Sequence, residues 1–315
     1  MPEQGSADVE HDITVDAPAA IVYKVIADVA NWPQVFPPTI YAERIEGTPA
    51  EERIRIWATA NGEPKHWTSR RTLDRDRLRI AFRQEVSAPP VAAMGGEWLV
   101  EAVGQQQCRV RLRHDYKAVD DAPAKLAWIA QAVDRNSRAE LAALKQSAER
   151  AAGPTGDTLL SFEDELHIEG RADDVYSFLN EAGQWSRRLP HVSRVLLSED
   201  TPGLQVLEMD TKTRDGAVHT TKSVRVCFPH TKIVYKQTVL PALMTMHTGQ
   251  WCLAENGDGV VATSRHTVAI NVANVALVLG QEASLADAMS FVRNALSTNS
   301  LTTLRHAKEY AESRQ

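Results

Sequence analysis

The chain repeats itself once. At a constant offset of 153 residues, Val22-Tyr23 falls on Val175-Tyr176, Trp32 on Trp185, Pro37 on Pro190, Thr48-Pro49 on Thr201-Pro202, His66 on His219, Gln84 on Gln237 and Trp98 on Trp251. Chance does not hold one register over so many positions, so the fold must be one that the chain can build twice. His114 then meets His266 at an offset of 152 and Asn136-Ser137 meets Asn299-Ser300 at 163, so eleven residues (163 minus 152) are added between those points in the second copy, including the apolar run Val272 to Leu279. Half of 315 residues is an ordinary domain length, enough to bury a core of its own. Gly153-Pro154-Thr155-Gly156 is a Gly/Pro connector without apolar period, which predicts domains at 1–152 and 157–315.

Composition removes several classes of chain. Cys108, Cys227 and Cys252 make an odd number without CxxC or Cys/His spacing, so neither a disulfide framework nor a metal site is expected; they read as reduced thiols of a cytoplasmic protein. Glu3, Asp8 and Glu10 stand where a signal peptide would be basic. The longest apolar run, Val268 to Gly280, is interrupted by Asn271 and Asn274, and is too short and polar for a membrane span. A formal charge of -6 argues against nucleic acid as a partner, because phosphate binding rests on clustered Lys and Arg.

Both copies show one element order. A strand (about 9–15 and 161–168) leads to a short helical region, opened in the first copy by Asp16-Ala17-Pro18 and broken at Pro33 and Pro37-Pro38. Alternating segments punctuated by Gly47, Asn61-Gly62, Asp74-Arg75-Asp76 and Gly104, or by Pro202-Gly203, Asp215-Gly216 and Asn256-Gly257, then predict about six more strands. A long helix closes each copy, at about 122–150 and 281–313. This is the order of an α+β helix-grip fold in tandem: a curved antiparallel sheet of about seven strands around a C-terminal helix, with an internal cavity.

Strand parity then identifies what faces that cavity. In 66–73, Trp67 and Leu73 mark the inward side, which brings Ser69 and Arg71 with them; in 109–116, Val110, Leu112 and Tyr116 bring His114. On the last helix Leu126, Ile129, Val133, Leu141 and Leu144 form the buried stripe, interrupted by Asn136 and Glu140 one turn apart. An inward His is in many folds a hydrogen-bonded core residue. An inward Arg needs a partner for its charge, either Glu140 or an anionic or carbonyl-rich ligand. Trp32, Phe36, Trp67, Met94 and Trp98 are individually plain core residues, but with Arg71, His114, Ser69, Asn136 and Glu140 they describe an apolar pocket with convergent polar groups. In the second copy, Thr220, Lys222 and Val224 replace Trp67, Ser69 and Arg71 at the constant offset, Arg225 takes the outward parity of Thr72, and Asn299 with Thr303 replaces Asn136 with Glu140. The first copy is thus the expected site of chemistry. Trp185, His247, Trp251 and His266 are the residues of the second copy expected to contact a ligand.

At Trp32-Pro33-Gln34-Val35-Phe36-Pro37-Pro38-Thr39, Trp67-Thr68-Ser69-Arg70-Arg71, Met94-Gly95-Gly96-Glu97-Trp98, His114-Asp115 and Arg135-Asn136-Ser137 the first copy resembles the polyketide aromatase/cyclases of bacterial type II polyketide synthases, and the whole chain resembles their di-domain subclass. The resemblance implies a START-like, Bet v1-like fold and a poly-β-ketone substrate carried on the phosphopantetheine of an acyl carrier protein. It further implies regiospecific closure of the first ring (C7–C12 type) by aldol cyclisation, dehydrative aromatisation, or both, in antibiotic biosynthesis. Catalytic roles fall by resemblance on Arg71, His114 and Glu140, the last standing where relatives carry Asp. Other synthase subunits are implied partners, and a homodimer remains open. The chemistry needs no metal or other cofactor: His can move protons near neutral pH, and Arg71 can hold an oxyanion. The competing readings are a non-catalytic carrier of hydrophobic ligands, whose inner face would be nearly all apolar, and a chain-shaping subunit of the synthase.

Overall fold

A computed structural model describes residues 6–153, 158–212 and 218–314, and the chain divides into two compact units, Met1–Gly156 and Asp157–Gln315. The connector at 154–156 and the turn expected at Asp215-Gly216 lie outside the described residues.

The first unit runs β1 (Ser6–Val15), α1 (Ala19–Ala27), α2 (Trp32–Val35), β2 (Thr39–Gly47), β3 (Glu51–Ala60), β4 (Glu63–Asp74), β5 (Arg79–Val86), β6 (Val91–Ala102), β7 (Cys108–Ala118) and α3 (Pro123–Ala152). Its sheet has the order β1-β7-β6-β5-β4-β3-β2, antiparallel throughout. Strands of such a sheet can hold one face to water and one to a core. The outer face here is a mosaic of ion pairs, Arg79 and Arg113 on Glu97, Arg83 on Asp115, Arg53 and Arg70 on Glu85, Arg109 on Asp12. The inner face packs Val110, Leu112, Trp98, Val100 and Ile80 against Leu141, Leu144 and Ala148 of α3 and against α1. The buried residues of α3, Ile129, Ala132, Val133, Ser137, Leu141, Leu144 and Ala148, follow helical spacing.

The second unit repeats the plan with β8 (Leu159–Ile168), α4 (Ala172–Asn180), α5 (Trp185–Arg188), β9 (Val192–Thr201), β10 (Leu204–Lys212), β11 (Val218–Phe228), β12 (Lys232–Val239), β13 (Met244–Asn256) and β14 (Gly259–Ile270), in the order β8-β14-β13-β12-β11-β10-β9. It closes with α6 (Val275–Leu279) and α7 (Leu285–Glu312). Ser284 caps α7 in a reciprocal capping box with Asp287, which fixes where that helix starts.

The apolar insertion forms a 3-10 turn, Val272–Asn274, followed by α6. Only its first helical residue is well buried: Val275 packs with Leu243, Met244, Val268, Ile270, Ala288 and Val292 of its own unit. Val272, Leu277 and Val278 are exposed, Leu277 by 80 %. Within its own unit the run is thus only partly covered. It is an extra helical turn pegged by one side chain, with Asn274 donating to the Ala242 carbonyl at 2.8 Å to hold the turn.

Candidate active site

The register of the first sheet lines up one inward residue from each of six strands. Val9 (β1) stands opposite His114 (β7), His114 opposite Gly96 (β6), Gly96 opposite Phe82 (β5), Phe82 opposite Arg71 (β4), and Arg71 opposite Glu52 (β3). With no side chain on Gly96, the Phe82 ring leans over it, since a Cβ there would collide with the ring tip and the Arg113 carbonyl. The ring reaches His114 edge to face, with centroids 5.5 Å apart.

Arg71 lies at one end of this row and is 1 % exposed. Its guanidinium stands 3.3 Å from the Glu52 carboxylate, donates to the Ile26 and Ala27 carbonyls at 3.1 and 3.4 Å, and lies 5.0 Å from the centroid of the Trp32 ring. Of the alternatives open to Arg71, Glu140 is therefore not its partner; a different carboxylate is. Glu52 takes that place because a buried Arg pairs with the carboxylate directly across the ladder. Burial pulls the Arg71 pKa down to about 10, opposed by Glu52, so it remains a cation at neutral pH. Trp32 is tied in by its own indole N–H, 3.0 Å from the Ile26 carbonyl. Arg71 thus clamps α1 and α2 onto the sheet. Glu52 was missed because it reads as part of the charged run Glu51-Glu52-Arg53; its parity with Ile54, Ile56 and Ala58 was the available signal.

His114, at the other end, and Glu140, on α3, behave differently. Both are half-buried, and neither has a hydrogen bond or ion pair among the described residues; the His114 Nδ1 is buried without a partner. Desolvation, with His11 adding to it, brings the His114 pKa down to about 4. Desolvation alone pushes the Glu140 carboxyl up to about 8. At neutral pH the imidazole is an unprotonated acceptor and the carboxyl a protonated donor, the two states that acid–base chemistry requires.

The remaining expected contacts divide by burial. Trp67, Met94 and Asn136 keep accessible surface; Asn136 donates to the Thr59 carbonyl at 2.9 Å, pinning α3 to β3. Phe36 and Trp98 are 2 % and 6 % exposed and stack on each other in the core, and Ser69, 2 % exposed, donates to the Arg83 carbonyl. In the structure these three, expected as ligand contacts, are packed against their neighbours. A recess of about 620 Å³ touches Phe82, Gly96 and His114, yet is otherwise lined by outer-face ion-pairing groups such as Arg79, Arg83, Glu97 and Arg113. It is a feature of the solvent face of the sheet, on the side away from α3.

The second sheet carries the same row: Phe162, His266, Gly249, Tyr235, Arg225 and Gln205. The expectation that the arginine is lost is therefore overturned. Arg225, 2 % exposed, donates to the Leu179 carbonyl at 2.6 Å and lies 5.3 Å from the Trp185 centroid, as Arg71 does to Ile26 and Trp32. Val224 points to the other face. The cause is a one-residue slip, since four residues (75–78) join β4 to β5 but only three (229–231) join β11 to β12, and a slip of one reverses every side chain.

The histidine of this row has a partner at both ring nitrogens. The His247 Nε2 lies 3.0 Å from the His266 Nδ1, the Tyr235 hydroxyl 3.4 Å from the same nitrogen, and the His266 Nε2 lies 3.0 Å from the Ser264 hydroxyl and 2.7 Å from that of Ser300. His247, His266, Trp185 and Trp251, the expected ligand contacts of this unit, are 1 %, 3 %, 5 % and 6 % exposed and occupy core positions. Thr303, in place of Glu140, turns its hydroxyl onto the Asn299 carbonyl at 2.9 Å.

A family model described as "Polyketide cyclase / dehydrase and lipid transport" matches residues 6–149. The granaticin polyketide synthase bifunctional cyclase/dehydratase of Streptomyces virginiae is 50 % identical over 93 % of this chain and 96 % of its own length. The actinorhodin polyketide synthase bifunctional cyclase/dehydratase of Streptomyces coelicolor is 44 % identical over 98 % of each. Among solved structures, the di-domain ARO/CYC BexL from the BE-7585A biosynthetic pathway is 58 % identical, with a TM-score of 0.86 over 97 % of this chain and 99 % of that one.

Proposed function

Because the chain belongs to the polyketide synthase bifunctional cyclase/dehydratases and is a polyketide cyclase/aromatase, we propose that the first unit carries the chemistry, with His114 as general base and Glu140 as general acid. The observation behind this reading is that these two groups alone among the expected catalytic residues combine accessible surface, no polar partner and a protonation state suited to their task.

The substrate is a poly-β-ketone held on the phosphopantetheine arm of an acyl carrier protein and presented by the other subunits of the synthase. A C–H proton between two carbonyls passes to the neutral His114. The resulting enolate carbon bonds to a distant carbonyl carbon of the same chain, and the alkoxide formed takes the Glu140 proton. Once His114 has released its proton and Glu140 has regained one, a second C–H proton goes to the base and the hydroxyl leaves as water with a proton from the acid, so that overall two C–H hydrogens and one carbonyl oxygen leave as one water. Trp67 and Met94 supply apolar walls that limit which carbon pair meets, the physical source of a first-ring, C7–C12 type preference. Arg71 is a positioning residue: it fixes Trp32 and the end of α1, and its charge is engaged by Glu52. A carrier without chemistry would have little use for a protonated carboxyl and a bare imidazole on its inner face.

The test is reconstitution with a minimal synthase and its carrier. The full chain directs product to the cyclised, aromatic compound. Glu140→Gln and His114→Ala each return the shunt mixture formed without the chain. Wild-type product from both variants would refute the assignment.

A further inference from the structure

Inward on β1, two residues from Val9, stands His11, and no role in the cyclisation falls to it in the scheme above. Its Nε2 lies 3.0 Å from the Asp134 Oδ1 on α3, its other ring nitrogen is buried without a partner, and its side chain is 11 % exposed. Val9 pairs with His114 and His11 with Leu112, so His11 and His114 are diagonal neighbours on one face of adjacent strands; no direct hydrogen bond joins the two rings, so a proton passing between them crosses an intervening water. The Nδ1 of His114 is buried without a partner as well. Asp134 is 53 % exposed and is held from the solvent side by Arg138 at 2.9 Å, one helical turn on. The groups in series are His114 inside, His11 in the wall and Asp134 at the surface.

We propose that His11, oriented by Asp134, is the proton relay between solvent and His114. An imidazole passes a proton by accepting at one nitrogen and releasing from the other. A proton leaving His114 enters at the His11 Nδ1, and the Nε2 proton departs to Asp134 and water, so the relay returns to its starting charge with its tautomer reversed until the ring re-equilibrates. Each ring closure with loss of water takes two C–H protons through one base. Resetting His114 through His11 frees it from having to return every proton directly to the substrate oxygen. Asp134 suits this role because Arg138, with His11, holds its carboxyl below the ordinary range, keeping it an anion. The second unit lacks the arrangement, with Asp164 at the position of His11 and Ser297 at that of Asp134.

The charged and titratable groups facing His11 are Asp134, with Arg138 behind it, on α3 and His114 on β7; Glu10 and Asp12 on β1 pair outward with Arg113 and Arg109. This inference rests on His114 being the base. The experiment uses the full chain at limiting concentration in the reconstituted synthase, with circular dichroism to verify the fold. His11→Phe lowers turnover about tenfold at neutral pH, toward the low end of proton-transfer effects, with KM unchanged. Imidazole added to the buffer restores turnover by accepting the proton directly. Asp134→Asn, which leaves the ring in place, gives a smaller loss in the same direction and likewise responds to imidazole. Unchanged turnover in both variants overturns the relay, and so does a loss that appears in KM or that imidazole leaves untouched. His114→Ala is run in parallel: full activity there refutes the assignment of the base, whereas an inactive His114→Ala beside a fully active His11→Phe refutes the relay alone.

Discussion

In the first unit the histidine of the cross-strand row touches a phenylalanine ring and makes no hydrogen bond, whereas in the second its counterpart is surrounded by Tyr235, His247, Ser264 and Ser300. The changes are small: Phe82 to Tyr235, Met94 to His247, Leu112 to Ser264, Glu140 to Thr303. Each replaces an apolar or lone group by one that finds a partner. A buried polar group that is satisfied stabilises and specifies a core, while one left unsatisfied carries a free-energy cost and remains reactive. The difference between scaffold and site is thus the placement of unmet hydrogen-bonding capacity on a shared frame.

The sharpest way to break this contrast is to remove each histidine. His114→Ala is expected to lower turnover by about 10² to 10⁴ fold, the usual range for a general base, with the fold retained by circular dichroism. His266→Ala is expected to lower stability and to spare turnover per folded molecule. Equal losses of turnover in both would place chemistry in both units and end the distinction.

Next in size is the clamp at the opposite end of the row. Arg71→Ala leaves Glu52 buried and unpaired and should cost about 3–5 kcal/mol of stability, as for other broken buried pairs, measured by denaturant titration. Glu52→Gln should cost far less, because the second unit already runs with Gln205 opposite Arg225. A stable Arg71→Ala that fails only in turnover would return the arginine to the reacting centre.

A third test concerns pH. Glu140 donates only while protonated, so turnover should fall as pH rises through about 8, and it should fall again as His114 protonates near pH 4. In stability the two groups act at different ends. Glu140 has a folded pKa raised above its unfolded value of 4.5, so its contribution is fully present below about 4.5 and is lost as pH rises toward 8. His114 is depressed from 6.5, so its contribution is present above 6.5 and is lost as pH falls toward 4. Glu140→Gln should remove the alkaline limb of the stability profile. An alkaline limb that persists in that variant assigns it to another group.

The smallest effect is expected from Phe82→Tyr, which imports the second unit's hydroxyl. It should slow turnover a few-fold by giving His114 a donor to hold, readable as a shift of the acid limb in the pH profile. Faster turnover would show that His114 gains from orientation more than it loses in availability.

Much of this was legible in the residues. The repeat came from matched Trp, Pro and His positions, and the inward side of β7 from Val110, Leu112 and Tyr116. Parity alone placed His114. The same rule applied to β1 and β3 would have turned up His11, between Val9 and Ile13, and Glu52, before Ile54; their charged surroundings masked them. Arg225 could not be placed, because His66 with His219 and Gln84 with Gln237 kept the constant offset on both sides of a one-residue slip that only the hydrogen-bond ladder reveals. The partner of Arg71 likewise depends on which strands are neighbours.

Gly96 and Gly249 constrain how such a protein can change over evolutionary time. Each is the gap over which an aromatic ring from the next strand lies, and at either position a Cβ would collide with that ring. The glycine cannot mutate first without displacing the ring, and the ring cannot shrink first without leaving a hole beside the histidine. Paths from one unit's chemistry to the other's therefore run through substitutions that keep the pair, such as phenylalanine to tyrosine, and a library that randomises either position alone would sample mostly dead ends.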